Sequence, residues 1–197
     1  MTLKIFDLYE TGEVKVEDPG LKRYINIDSR LVLKSHGRNV EKFGKTKINI
    51  IERLANLIAV PGHRGKKHRR ITSWASGKYT KNMKVILKVL QIIQDKTKSN
   101  PVQVIVKAVE NSAPRDEVTV IEYGGARYPQ AVDMSPSRRV SVALRNILHG
   151  AADKAINKKK ELSTALADEI ILASQGSNEC FSVVKKNEAE KQADSAR

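Results

Sequence analysis

The 197-residue sequence holds one cysteine, three phenylalanines, one tryptophan and five tyrosines. A single thiol excludes a disulfide framework and any cysteine-based zinc site, and it fits a reducing compartment. Aromatics at 5% are too few for a broad platform on which single strands would stack. No uninterrupted apolar run approaches the roughly 18 residues of a membrane span. Residues 1–13 carry acids where an export signal would have its apolar core. No membrane partner is expected, and the reading is a soluble, cytoplasmic chain.

Acids are also scarce, 22 against 36 lysines and arginines, which leaves a formal net charge of +14. The excess is concentrated. Residues 1–33 hold five lysines and arginines against six acids, and residues 34–88 hold fifteen against Glu41 and Glu52 alone. The remaining residues, 89–197, are close to balance, sixteen against fourteen. Within the basic stretch, Gly62-His63-Arg64-Gly65-Lys66-Lys67-His68-Arg69-Arg70 has no acid at all. Like charges at contact distance repel, and desolvating them is costly, so such a cluster needs an external polyanion. Nucleic acid is favoured, because each phosphate neutralised releases condensed counterions.

Hydropathy periods describe a mainly α protein, a helical bundle of about six helices with a protruding two-stranded β-hairpin arm. Residues 1–33 read as an N-terminal extension with a turn at Asp18-Pro19-Gly20, and residues 34–197 as a single helical domain. Ile48, Ile51, Ala55 and Ile58 fall on one helical stripe that Pro61-Gly62 ends. A long basic loop over 62–78 follows. Met83, Ile86, Leu87, Leu90 and Ile93 then mark the buried face of a helix over about 80–96. Asn100-Pro101 is a helix start, Asn as cap and Pro at the first position, although the valines after it would also suit a strand.

After Ala113-Pro114 the period changes to two. Two β-rich runs flank Gly124-Gly125, a pair able to take positive φ at both central turn positions, so 117–132 reads as a hairpin arm. Pro129 denies it an interior sheet position, and a lone ribbon is marginal in water, so something outside the domain is expected to brace it. Ser135-Pro136 opens a helix with Val140, Ala143, Leu144, Ile147, Leu148 and Ala151 on its apolar stripe. Another starts at Ser163 and stops near Gly176, and the polar C-terminal tail, 183–197, is expected to be helical at its start.

Nothing in this pattern assembles chemistry. Three of the four histidines (His36, His63, His68) lie in the basic stretch, none at zinc-ligand spacing from a partner, so no metal and no cofactor is expected. The glycines and lysines from Gly62 to Lys67 miss the phosphate-loop spacing. Asp116-Glu117 and Asp168-Glu169 read as helix-end or surface charges, and no nucleophile, base and orienter converge, so the chain is not expected to be an enzyme.

Several ordered motifs carry a family resemblance. Lys98-Ser99-Asn100-Pro101-Val102-Gln103-Val104, Asn111-Ser112-Ala113-Pro114-Arg115, Tyr123-Gly124-Gly125 and Pro129-Gln130-Ala131-Val132-Asp133-Met134-Ser135-Pro136-Ser137-Arg138-Arg139 together resemble universal small-subunit ribosomal protein seven, called protein five in the eukaryotic nomenclature. Leu166-Ala167-Asp168-Glu169-Ile170-Ile171 is similar to that family's penultimate helix. The N-terminal extension and the Ser195-Ala196-Arg197 ending resemble the archaeal/eukaryotic branch. The resemblance implies a structural constituent of the small subunit that binds the 3′ major domain of small-subunit rRNA, nucleates head assembly and lies near mRNA and the exit-site tRNA, beside other head and platform proteins. It implies that Tyr123, Gly124, Gly125, Arg127 and Tyr128 reach toward the exit site. It also matches the family's Gly-Lys signature to Gly77-Lys78, with Tyr79 where a basic residue is usual.

Arginine pairs bidentately with phosphate, whereas lysine acts as a point charge. Placement on RNA is therefore expected from Arg64, Arg69, Arg70, Arg115, Arg138, Arg139 and Arg145. The diffuse field is expected from Lys34, Lys45, Lys47, Lys66, Lys67 and Lys78, with Arg38 and His68 inside the same stretch. A duplex-DNA-binding protein that reads the major groove with its ribbon is the alternative.

Overall fold

The computed structural model describes residues 4–35, 41–59, 63–64, 67–68, 78–155 and 158–197, with only the backbone path given for 63–64 and 67–68. After a 3₁₀ turn at Gly44–Lys47, the described chain runs α1 (Ile50–Ile58), β1 (His63–Arg64), β2 (Lys67–His68), α2 (Tyr79–Thr97), α3 (Pro101–Ser112), β3 (Asp116–Tyr123), β4 (Ala126–Asp133), α4 (Pro136–Ala155), α5 (Leu162–Ser174) and α6 (Phe181–Ser195). The helices form one bundle, and β3–β4 is the arm.

Capping chemistry fixes the helix starts. Asn49 Oδ1 accepts from the Ile51 N–H at 2.9 Å and opens α1, and Asn100 Oδ1 accepts from the Val102 N–H at 3.0 Å with Pro101 in the first turn of α3. The cap decides the helix-or-strand ambiguity of the valine-rich run, and packing completes it. Helix α3 is bounded by α2, α4, α5 and α6, so Val102, Val104, Ile105, Val106 and Val109 are all buried and tertiary burial outweighs weak helix propensity.

The expected stripes of α1 and α4 are buried throughout. On α2 the stripe rotates slightly: Val89 is fully buried where Leu87 was expected, and Leu87 is half-buried. Helix α5 begins one residue before Ser163, with Glu161 at the cap position. Gly176, at φ 68°, ends it in a left-handed turn whose N–H bonds to the Ala173 carbonyl. Gly150 in α4 has a different reason to be glycine. A Cβ there would lie 2.4 Å from Glu169 Oε1 and 2.7 Å from the Phe181 Cβ, so α4 meets α5 and the start of α6 through that gap.

Three features differ from the sequence reading. The segment before residue 34 has no helical period, yet Ile5, Tyr9, Leu21, Ile25 and Leu33 are buried in the same core as the helices. Backbone bonding ties it across α3: the Gln103 side chain bonds both the N–H and the carbonyl of Lys15, at 2.8 and 3.0 Å, and Glu110 accepts from the Asp18 N–H. Secondly, the loop over 62–78 contains a short antiparallel ribbon, with His63 opposite His68 and Arg64 opposite Lys67. Thirdly, the tail is helical to Ser195, not only at its start, because Ala193 is fully buried against the body.

That tail also corrects the expected brace of the arm. Gly124 and Gly125 take φ of 58° and 80°, and β3 pairs with β4 from Asp116↔Asp133 to Tyr123↔Ala126. Helix α6 packs on the root of the ribbon, where Glu190 accepts from the Arg115 N–H at 3.1 Å and Arg197 pairs with Asp116 at 2.6 Å. The brace at the root lies inside the molecule; the tip extends beyond it.

Candidate nucleic-acid interface

The described cations fall into two chemical groups, those with an internal carboxylate partner and those without. Arg138 donates through Nε and a terminal nitrogen to Glu117, at 3.0 and 2.8 Å, and fixes the start of α4 to β3. Arg139 is largely buried. Its guanidinium reaches Asp18 at 3.0 Å and the Pro114 carbonyl at 3.1 Å, so it joins the N-terminal segment to the arm's root. The acid that engages Arg139 lies 121 residues away in the chain. Lys47 pairs with Glu41 at 2.5 Å, and Arg127 on the arm lies 3.7 Å from Glu122.

The second group is different. Lys45 and Arg145 are exposed and line one pocket between α1 and α4 with Arg53, Ser141 and Asn56 around an apolar floor. No acid lines it. Arg53 is 7% exposed, and its guanidinium bonds the Tyr24 carbonyl at 3.1 Å and Ser141 Oγ at 3.2 Å, both neutral acceptors. Burial pulls its pKa below the usual arginine range, and no carboxylate opposes that shift. Neighbouring Glu52 accepts instead from the Ser35 N–H at 2.7 Å and lies in a separate pocket with Asn26 and Asp28.

Lys34 is exposed, with its ammonium 5.7 Å from the centre of the Tyr79 ring. The Tyr79 hydroxyl donates to the Leu33 carbonyl, and burial pushes its pKa up to about 12. Lys78 is exposed at the start of α2, and Arg115 lies near Arg139 and Lys186 in a mixed-charge recess that also holds Asp18 and Glu110. Arg38, Lys66, Arg69, Arg70, Gly77 and the helix end at Pro61-Gly62 lie outside the described residues, and of Arg64, Lys67 and His68 only the backbone is described.

The arm's tip is neutral and apolar rather than basic. Tyr123 is 82% and Tyr128 57% exposed, and the register places Tyr128 opposite Ile121, two residues from Tyr123 on the same face. Arg127 stands opposite Glu122.

Of the acids read as helix-end or surface charges, Glu169 departs from that reading. Glu169 is fully buried rather than a surface charge: it accepts from Lys154 at 2.5 Å and from the Phe181 N–H at 2.7 Å, placing a carboxylate at the start of α6. Burial pushes the Asp168 carboxyl up, but the ammonium groups of Lys160 and Lys96, each at 2.5 Å, outweigh it and hold its pKa below the usual carboxylate range. Among the described residues there is no group of three His, Cys, Asp or Glu that could hold a metal ion. None of their helices is long and apolar enough to cross a membrane.

Sequence reasoning missed Arg53. Its signal is visible in retrospect: it is a cation inside the apolar run Ile50–Ile58, on a helix too tightly packed to send it all to water.

A helical bundle with a braced β-ribbon and a face whose described lining holds cations and no acid defines a basic, mainly helical protein with a β-hairpin arm. Comparison with known proteins makes the class specific. Residues 22–197 match the family model described as ribosomal protein S7p/S5e. The chain is 47% identical to the small ribosomal subunit protein uS7 of Nanoarchaeum equitans over 198 residues, all of both chains. It is 45% identical to the protein of that name in Methanococcus maripaludis over 200 residues, again all of both, and 43% identical to that of Thermoplasma volcanium over 194, which is 98% of this chain and 100% of the relative. The chain belongs to the S7p/S5e family of ribosomal proteins, in accord with the archaeal/eukaryotic resemblance, and is not an enzyme.

Proposed function

We propose that this small-subunit ribosomal protein, in the cytoplasmic ribosome, binds the 3′ major domain of small-subunit rRNA and nucleates assembly of the subunit head. Its arm reaches toward mRNA and the exit-site tRNA, and neighbouring head and platform proteins are its other partners. The observation that carries the rRNA reading is the α1–α4 face, where Lys45, Arg53 and Arg145 line a pocket with no acid among the described residues, close in sequence to the acid-free run 62–70. Buried or clustered cations without carboxylates require a polyanion, and irregular RNA offers phosphates at many angles to a surface that is not a duplex groove reader.

The arm supports RNA over duplex DNA. A ribbon that enters a major groove needs cations along its edges, whereas this tip presents Tyr123, Tyr128 and Ile121, and its Arg127 stands beside Glu122. Exposed rings on a rigid ribbon suit stacking on unpaired bases or packing against a neighbouring protein. The test is a footprint of the purified full-length protein on small-subunit rRNA, with duplex DNA as competitor at equal salt. Protection confined to the 3′ major domain, undisturbed by the competitor, is the expected result. Equal displacement by duplex DNA, or protection scattered over the rRNA, would reject the reading.

A further inference from the structure

Arg53 combines deep burial with the absence of a counter-charge among the described residues. Arginine is rarely buried unless paired, because removing a guanidinium from water costs several kcal/mol that only a carboxylate or phosphate returns in full. Here two neutral oxygens accept from it, the Tyr24 carbonyl and Ser141 Oγ. A guanidinium carries five N–H donors, so these two bonds leave it under-used. Its side chain is also held in place. Ser141 Oγ donates onward to the Ser137 carbonyl at 2.9 Å, which leaves the hydroxyl oxygen turned to Arg53 as an acceptor.

The same pocket adds Lys45 from the 3₁₀ turn and Arg145 from α4, both exposed, and apolar walls from Ile48, Leu57 and Leu144. Low-dielectric walls strengthen the field of three cations at one point. We propose that this pocket is a preformed seat for a single phosphodiester group of RNA, with the Arg53 guanidinium as its fixed base and Arg145 and Lys45 closing over the anion. The seat rests on the rRNA-binding reading above and assigns to it one bound phosphate. A fixed guanidinium recognises a phosphate with little further loss of side-chain entropy, unlike the flexible lysines around it, so this seat sets the register of the RNA on the α1–α4 face.

Two measurements on the full-length protein test the seat and the reading separately. In the first, inorganic phosphate and acetate are compared at equal ionic strength by thermal unfolding. Phosphate is expected to raise the Tm of the unsubstituted protein and acetate to leave it unchanged; the shift is expected to vanish in Arg53→Met and to shrink in Arg145→Gln. Arg145 is exposed, so its variant answers even if the Arg53 variant fails to fold. An equal response to both anions, or an unaltered phosphate response in Arg145→Gln, overturns the seat.

In the second, binding to a 3′ major domain rRNA fragment is followed against salt. Each single variant is expected to flatten the log–log slope by about one, the signature of one phosphate that the protein no longer neutralises. The double variant is expected to flatten it by about one as well, because both arginines hold the same group. A loss of about two in the double variant means two separate phosphates and overturns the single seat. Unchanged slopes in both single variants overturn the seat while leaving rRNA binding intact. Failure of the unsubstituted protein to bind the fragment, with the phosphate-specific Tm shift retained, overturns RNA as the occupant and leaves only an anion pocket.

Discussion

Two lysine- and arginine-bearing surfaces of the bundle have opposite internal chemistry. Around α5, four described cations have carboxylates: Lys96 and Lys160 meet at Asp168, Lys88 reaches Glu161 at 3.2 Å, and Lys154 pairs with buried Glu169. Between α1 and α4, Lys45, Arg53 and Arg145 line a pocket that has none among the described residues. The number of positive side chains does not distinguish the two surfaces; the position of the acids does. The first surface is complete within the fold, and the second is the one that, on the proposed reading, an anion from outside completes.

The largest expected effect is on the self-sufficient side. Glu169→Ala removes a fully buried carboxylate, leaves Lys154 without its partner and strips an acceptor from the start of α6, so a stability loss of about 3 kcal/mol is expected in denaturant unfolding. The folded fraction should still bind rRNA as the unsubstituted protein does. A fall in affinity without a fall in stability would erase the distinction between the surfaces.

A mirror-image outcome is expected for Lys45→Gln combined with Arg145→Gln. Both side chains are exposed and neither touches a described carboxylate, so the midpoint of unfolding should move by less than about 0.5 kcal/mol while rRNA affinity falls by roughly tenfold or more at low salt.

Acid titration gives a smaller, signed effect. The Asp168 pKa is depressed by Lys160 and Lys96, so its contribution is fully present above the ordinary carboxylate value near 4 and is lost as pH falls through the lower folded-state value. Asp168→Asn should therefore cost about 1 kcal/mol at pH 7 and cost progressively less below about pH 4, as thermal unfolding across pH would record. A cost that stays constant down to about pH 2 would contradict the assigned ion pairs.

The arm should give the smallest effect on the fold. Tyr123→Ser with Tyr128→Ser alters two exposed rings at the tip, and a change in unfolding free energy below about 0.5 kcal/mol is expected. A larger loss would show that the tip, like the root, is part of the body.

Much of this was legible in the sequence, and the failures share a cause. Local signals gave local answers: Asn100-Pro101 opened α3, Gly124-Gly125 made the turn of the arm, and Gly176 ended α5. The resemblance in the Asn111–Arg115 and Pro129–Arg139 motifs led to the family that the full-length relatives confirm. What the sequence could not display were pairings across long separations. Asp18 with Arg139, Glu190 with the Arg115 N–H and Arg197 with Asp116 join segments 75 to 121 residues apart. They make Arg139 and Arg197 ties of the fold through their guanidinium groups, and Arg115 through its backbone N–H alone. Arg53 was overlooked for the converse reason: it lies off the stripe of Ile48, Ile51, Ala55 and Ile58, where period analysis expects a solvated charge and not a buried one. The N-terminal segment had no period because it is buried as an irregular strap across α3, held by side-chain-to-backbone bonds such as those of Gln103.

The most direct test compares the salt dependence of rRNA binding after neutralising each surface in turn, Lys45, Arg53 and Arg145 on one side and Lys88, Lys96 and Lys160 on the other. A shallower log–log slope for the first set, with the second set retaining the slope of the unsubstituted protein, is the predicted result. Equal flattening by both sets, or flattening by the α5 set alone, would contradict the claim that RNA completes only the surface that lacks acids of its own.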